Sequence, residues 1–549
     1  MSDQAAASRL SFVVQPNSPS SRSLDALLRC YAGRIWIGAA VALAIALAVP
    51  FFLVDVPPVL DYPNHLARYF ILAHPDDATL SRMFEPRWEI LPNLGMDVIG
   101  VGLLKLLPVH VGGRLCLALS LYAPVIGAII YSRVVFGRFT LWSLASGLIA
   151  YNGVFFLGFM NFLLSLGLAL AGAAGWIALR RRGGWLLNAV LGAASVSVTF
   201  FCHLFGVMLF ALLIGSNEAA RLWEAGRPRW ADLLRSALLL GVALSPAAAL
   251  YLASPLADGP AYIGTWQGMP KLWASLTPFM TYSKNLTLLT GVVVYCFVVL
   301  NRRNISVAPA ARLAFVVLAL VFVLQPAEIK GGSFLDVRIA LMIGLLAFAA
   351  VLPQLQPRCA LLAGAILGAL IMLRSGSVGA AWIAHRIDIA DLRTAIAAVE
   401  PGARVLVVRG HAQYMTANAA RPGQALPGIY RLDGHLGSLL TIERGAFLPL
   451  LFASPSQQPL AVKPPYLQIA QPLAEPVEWS VLGQETFSRL TLAYASYLRD
   501  WRLNYDYVLL IDPLPGRPMV RDLEVVAGRG SALLYRINKS GTAATAAPQ

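Results

Sequence analysis

The residues best placed for chemistry lie between Val56 and His74, in the stretch VPPVLDYPNHLARYFILAH. Pro57 and Pro58 stop the apolar run before them, and Pro63 suits the first turn of a helix. Asp61 then falls at the N-cap, and His65 and Arg68, four and seven residues on, share one helix face with it. A carboxylate can take a proton from a hydroxyl, and a histidine or arginine can neutralise an anion. Plainer roles stand beside these. Asp61 can cap the helix, His65 can hydrogen-bond within its loop, and Arg68 can pair with Asp61, Asp76 or Asp77. Later candidates for binding an anion are His203, alone between two apolar runs, and Lys271, Lys284, Lys330 and Arg338. Arg338 follows Gly331-Gly332-Ser333-Phe334-Leu335-Asp336 at the start of an apolar stretch. Here too there are plain alternatives: a structural histidine, and span-end cations that snorkel to the interface.

The elements that must position these residues are membrane helices. Of 549 residues 58% are hydrophobic and 13% charged, against about 25% charged for a soluble domain. Mean hydropathy is +0.66. A disordered chain is excluded, and too few charges are present to cover a fully soluble fold. The net charge of +15 would suggest nucleic acid in a soluble protein. Here the Lys and Arg cluster in short loops between apolar runs, where they set topology. Five cysteines without a CxxC pair make a disulfide framework or a cysteine metal site improbable.

A span needs about 20 apolar residues. Trp36–Val54 is an uncharged run of 19 and reads as an uncleaved signal anchor. Phe139–Leu179, 41 residues without a charge, suits two spans with a tight turn near Tyr151–Gly153, and 183–217 suits two more. Further candidates lie near 114–132, 236–253, 286–300, 311–325, 337–353 and 359–373, which makes eleven. With the N-terminus inside, the basic loops fall in the cytoplasm only if Leu94–Leu107, carrying Asp97 and Lys105, lies as a helix at the outer surface without crossing. The predicted organisation is a cytoplasmic tail (1–34), a transmembrane part (35–376) with a long first outer loop (55–113), a soluble extracytoplasmic α/β domain (377–538) and a disordered tail (539–549). In the soluble domain Ile387–Glu400 has helical spacing, and Arg404–Val408, Tyr507–Ile511 and Ser531–Ile537 read as strands. The Pro-rich stretch 448–478 reads as irregular. Asn152 and Asn161 read as interhelical hydrogen-bonders, and Tyr262, Trp266 and Trp273 as an interfacial belt. The fold class is thus an α-helical polytopic membrane protein of about eleven transmembrane helices with a C-terminal extracytoplasmic α/β domain, multi-pass in the plasma (inner) membrane.

The order of these pieces carries a resemblance. An anchor helix is followed by Asp61 at the start of the first outer loop, then by a helix with Ala67-Arg68-Tyr69. A Pro-opened apolar helix ending in Lys105-Leu106-Leu107 comes next, and Gly113-Arg114-Leu115 opens the following span. This resembles the type C glycosyltransferases (GT-C), the superfamily of protein O-mannosyltransferases and aminoarabinose or arabinofuranosyl transferases. The resemblance implies a polyprenyl-phosphate-linked sugar as donor, a glycan, lipid or protein as acceptor, and Asp61 as catalytic base. His65, Arg68, His203, Lys330 and Arg338 are then the candidates for holding the donor phosphate, with Arg338 the best of the later ones. Two departures stand out: the family's Asp-Glu pair is Asp61-Tyr62, and its Pro-Pro-Leu-Tyr segment is Pro92-Asn93-Leu94-Gly95. No cofactor or metal ligand set is required by the sequence, though a divalent cation beside Asp61 is possible.

A transporter or flippase of a lipid-linked or amphipathic substrate is the competing class, and a non-catalytic membrane scaffold a third. A transporter would place ionisable groups in broken spans of related halves, whereas here they gather in the first outer loop and no repeat is visible. No GxxxxGK[ST], HExxH, GxSxG or strand-linked GxGxxG is present, so neither nucleotide chemistry nor nucleic-acid binding is supported.

Overall fold

A computed structural model describes residues 19–539 except 259–263, 265, 267, 330–332, 412–420, 428 and 429, and, of 19–32, 258, 269 and 357, the backbone alone. The chain divides into two compact units. The first comprises 1–52, 118–155 and 159–379, and the second 53–117, 156–158 and 380–549.

The first unit is helical. Among the described residues the chain has eight helices long and apolar enough to cross a membrane: Gly33–Phe52, Val109–Phe136, Met160–Arg180, Trp185–Cys202, Leu204–Glu224, Trp230–Leu252, Lys284–Asn304 and Arg358–Ile396. Two further expected spans form apolar helices of 16 residues each, Pro309–Leu324 and Leu335–Ala350. The expected pair within 139–179 is different. It contains one span-length helix, Met160–Arg180, preceded by the short pieces Leu141–Leu144, Ala145–Ile149 and Gly153–Leu157. Local polar side chains explain the break. Ser143 Oγ donates to the Thr140 carbonyl, Ser146 Oγ to that of Ser143, and Asn152 Nδ2 to those of Ile149 and Ala150. Such bonds offer the backbone an alternative to the helical ladder. Asn152 is therefore a local cap and not a bond between helices. Carbonyls of this region and its neighbours are met by the buried guanidinium of Arg374, which donates to Tyr151, to Phe279 and to the Thr290 hydroxyl.

Two devices pack the long helices. Glu218 accepts from Trp176, Arg180 and Ser236, joining one end of Met160–Arg180, Leu204–Glu224 and Trp230–Leu252. Small residues bring Val109–Phe136 against Met160–Arg180. A Cβ on Gly167 would lie 2.3 Å from the Ala123 carbonyl oxygen, and one on Gly127 2.6 Å from that of Gly167. Backbones this close need glycine on at least one side.

The second unit joins residues 53–117 to the C-terminal region. Its sheet comprises β1 (Val405–Arg409), β2 (Tyr507–Ile511), β3 (Leu523–Arg529) and β4 (Ala532–Ile537), in the order β1-β2-β4-β3. β1 and β2 are parallel, and β4 runs antiparallel to both of its neighbours. β2 is buried along its length, as its uninterrupted apolar sequence requires of a strand covered on both faces. The three expected strands are present; the additional one, β3, is mostly exposed and so lacks an apolar signature. The expected helix at 387–400 is instead the end of one continuous helix, Pro357–Ile396, which enters this unit at Ala380. The Pro-rich stretch is irregular apart from a turn of 3-10 helix at Tyr466–Ile469 and the strand Leu460–Val462, which pairs with Phe84–Pro86. Leu94–Leu107 holds a helix of only ten residues, Gly95–Leu104, too short to span. At the N-terminus the expected tail is partly helical, since the first helix already starts at Pro19; the tail after 539 lies outside the described residues.

Gly167→Val is expected to abolish monodisperse protein on size exclusion in detergent, because the branched side chain meets the Ala123 backbone. Gly364→Val, where a Cβ meets nothing within 4 Å, should elute as wild type.

Candidate active site

Asp61 is positioned by its own backbone. The Leu60 and Asp61 amides donate to the Phe156 and Leu157 carbonyls at 2.9 and 3.2 Å, so the residue is bonded to a neighbouring segment before its helix, Tyr62–Ala73, begins. Gly158 makes this approach possible. Its φ is +91°, and a Cβ there would lie 2.8 Å from the Asp61 Cβ. Asp61 occupies the N-cap as the sequence predicts, but with φ −82° and ψ −10° its side chain makes no capping bond. The carboxylate is 15% exposed, and its Oδ1 lies 3.4 Å from Nε2 of His435.

Arg68 and His65 have other partners. Arg68 grips Asp97 of Gly95–Leu104 through Nε at 2.6 Å and Nη2 at 3.1 Å, with both side chains 1% exposed. This corrects the expectation that Arg68 pairs with Asp61, Asp76 or Asp77: a buried guanidinium needs a buried carboxylate, and Asp97 supplies it. His65 Nδ1 lies 3.0 Å from Arg68 Nη2 and, since arginine only donates, accepts from it. Its ring meets Phe452 edge-on. Burial first, and then the Arg68 charge, push the His65 pKa well below the ordinary histidine value, so the ring is neutral.

His435 was invisible as a partner of Asp61 in the sequence, 374 positions away. Asn64 fixes its tautomer. The Asn64 Oδ1 accepts from the Phe452 amide at 2.7 Å, which leaves Nδ2 to donate to the Leu450 carbonyl at 3.1 Å and to His435 Nδ1 at 3.3 Å. With Nδ1 accepting, the proton of the neutral ring is on Nε2, facing Asp61. Burial, with Arg409 adding to it, pushes the His435 pKa down to about 4. Asp433-Gly434 before it is a turn signal, the one clue that a loop presents this histidine. Asp433 accepts from Arg431, which also reaches Asp512 at the end of β2 at 2.7 Å.

In the helical unit two other expected residues meet. His203 sits between Trp185–Cys202 and Leu204–Glu224, and Arg338 lies in the first turn of Leu335–Ala350. Arg338 Nη1 is 2.7 Å from His203 Nε2. The guanidinium lies 4.4, 5.5 and 5.6 Å from the ring centres of Phe159, Phe162 and Phe205. Lys271 instead donates to the Gln325 carbonyl, and Lys284 lies over Trp273. Trp266 and Trp273 are exposed, as a belt requires. Lys330 and Tyr262 lie outside the described residues. Among the described residues no three of His, Cys, Asp and Glu are grouped to hold a metal ion.

No family model matches the chain, and no curated protein does. Among solved structures it is similar to the crystal structure of ArnT from Cupriavidus metallidurans bound to undecaprenyl phosphate, at 13% identity. The match covers 93% of this chain and 99% of that one, with a TM-score of 0.48.

The buried imidazoles predict an acid-sensitive fold. The unfolded chain protonates histidine near 6.5, whereas folded His435 resists until about 4. Between those values the unfolded state binds more protons, so stability falls as pH is lowered and is fully present above the window. The unfolding temperature in detergent should drop through this range, and His435→Gln should flatten the drop; an unchanged slope in the variant would assign the effect elsewhere.

Proposed function

We propose that this chain is a membrane glycosyltransferase of the GT-C type, moving a sugar from a polyprenyl-phosphate donor to an acceptor on the extracytoplasmic side with inversion. The observation that carries this reading is the carboxylate of Asp61, held by the main chain at the start of the first outer loop and not used to cap its helix. A carboxylate so placed is suited to act as a base: it takes the proton as the acceptor oxygen bonds to the anomeric carbon. The bond from that carbon to the phosphate oxygen breaks, and the pair of electrons leaves with polyprenyl phosphate. The leaving group is already a stable anion, so no general acid is required.

The departing charge needs cationic stabilisation. The resemblance seen in the sequence makes Arg338 the candidate for it, because a guanidinium matches phosphate in geometry and charge. The His203 contact and the three phenylalanine rings hold its planar group in one orientation. Arg68, paired with Asp97, is placed second to Arg338 for this role. His65 accepts a hydrogen bond from Arg68 and is given no further role, and Lys330 remains a candidate on sequence grounds alone.

The test uses membranes carrying wild type or Asp61→Asn, a panel of labelled polyprenyl-phosphate hexoses and pentoses, and an envelope extract as acceptor. Asp61→Asn should lower transfer by roughly 100-fold or more, the lower end of what a general base supplies. Arg338→Gln should lower kcat/KM for the donor by about tenfold or more, as loss of a charge-assisted hydrogen bond does. Equal transfer by Asp61→Asn and wild type would remove Asp61 as base.

A further inference from the structure

The second unit brings Asp61 and His435 together although nothing in the transfer chemistry requires a histidine. We infer that His435 is the positioning residue of Asp61: its Nε2–H fixes the rotation of the carboxylate, so that a lone pair is presented to the acceptor hydroxyl. This inference rests on Asp61 being the base.

Three independent features support it. The first is the tautomer. Phe452 sets Asn64, Asn64 donates to Nδ1, and the ring proton is thereby directed to the carboxylate. An imidazole with the opposite tautomer would turn a lone pair toward Asp61 and repel it. The second is the rigidity of the mounting. Phe452 packs edge-on against the His435 ring at 4.9 Å and the His65 ring at 5.4 Å. The loop carrying His435 is tied through Asp433 and Arg431 to Asp512 at the end of the sheet. A Cβ on Gly434 would stand 3.4 Å from the Leu60 side chain, so the loop lies directly over the residue before Asp61. The third is the separation. Nε2 and Oδ1 are 3.4 Å apart, near enough for a small side-chain rotation to make the hydrogen bond. Many carboxylate bases have a second group that orients them; in this sequence the position after Asp61 is Tyr62, and the orienting group comes from the far end of the chain.

His435 exchanges no proton in this scheme. It donates the same hydrogen to the carboxylate before transfer and to the carbonyl oxygen of the carboxylic acid afterwards. Its removal should therefore affect the chemical step and leave donor binding alone.

The experiment measures kcat and donor KM in membranes for His435→Ala, His435→Gln, Asp61→Asn and the Asp61→Asn/His435→Ala pair. The probe is whichever polyprenyl-phosphate sugar of the panel wild type consumes. His435→Ala should lower kcat by roughly 10- to 100-fold, the worth of one hydrogen bond to a charged group, with KM within about threefold of wild type. His435→Gln places an amide N–H near the lost Nε2–H and should recover most of kcat. In the Asp61→Asn background His435→Ala should cost nothing further. Normal kcat in His435→Ala, no recovery in His435→Gln, or an additive loss in the pair would each overturn the positioning role while Asp61 stands. Full activity in Asp61→Asn would overturn the base itself. Solid-state NMR of ¹⁵N-histidine protein gives a second readout that needs no substrate. The signal absent from His435→Gln should be a neutral ring protonated at Nε2, and a ring protonated at Nδ1 would overturn the inference.

Discussion

The constraint on which the site depends is the pairing of Leu60 and Asp61 with the carbonyls of Phe156 and Leu157. It places a carboxylate by main-chain bonds, which are stiffer than any side-chain contact, and it relies on the positive φ of Gly158 to let two segments approach. Because the backbone holds Asp61 in a helical conformation ahead of its own helix, the side chain is not drawn into capping.

Around it the second unit deals with buried charge in two ways. Arg68 and Asp97 stay ionised as a pair and fasten Tyr62–Ala73 to Gly95–Leu104. Breaking such a pair is costly because it leaves the other charge buried alone. His65 and His435 instead lose their charge to burial. The consequence is directional: a neutral imidazole has one donor and one acceptor, and Asn64 determines which faces Asp61. In the helical unit the polar groups of Glu218 and Arg374 are likewise fully met, by helix ends and by the carbonyls of a broken segment.

Much of the fold was legible because membrane spans are written in composition. Long apolar runs such as Trp185–Cys202 needed no partner to be recognised, and the charges of Asp97 and Lys105 correctly kept Gly95–Leu104 from being read as a span. The segment 139–157 misled for a physical reason. It is as apolar as a span, but serines and an asparagine divert its backbone, and hydropathy does not register hydrogen bonds. Asp61 stood out through its local setting of prolines and helix start. Its partner did not, since the His435 contact joins residues 374 apart and no local pattern marks it. The same holds for Arg68, whose nearer acids Asp76 and Asp77 looked like partners until burial selected Asp97.

A single carboxylate acting as base on the acceptor suits direct displacement; a covalent sugar intermediate would need a nucleophile as well. The stereochemistry of the product therefore tests the reading most directly. The transferred sugar is isolated on its acceptor, and its anomeric configuration, from one-bond carbon–proton coupling, is compared with that of the polyprenyl-phosphate donor. Inversion is the predicted result, and retention would contradict displacement with Asp61 as the base.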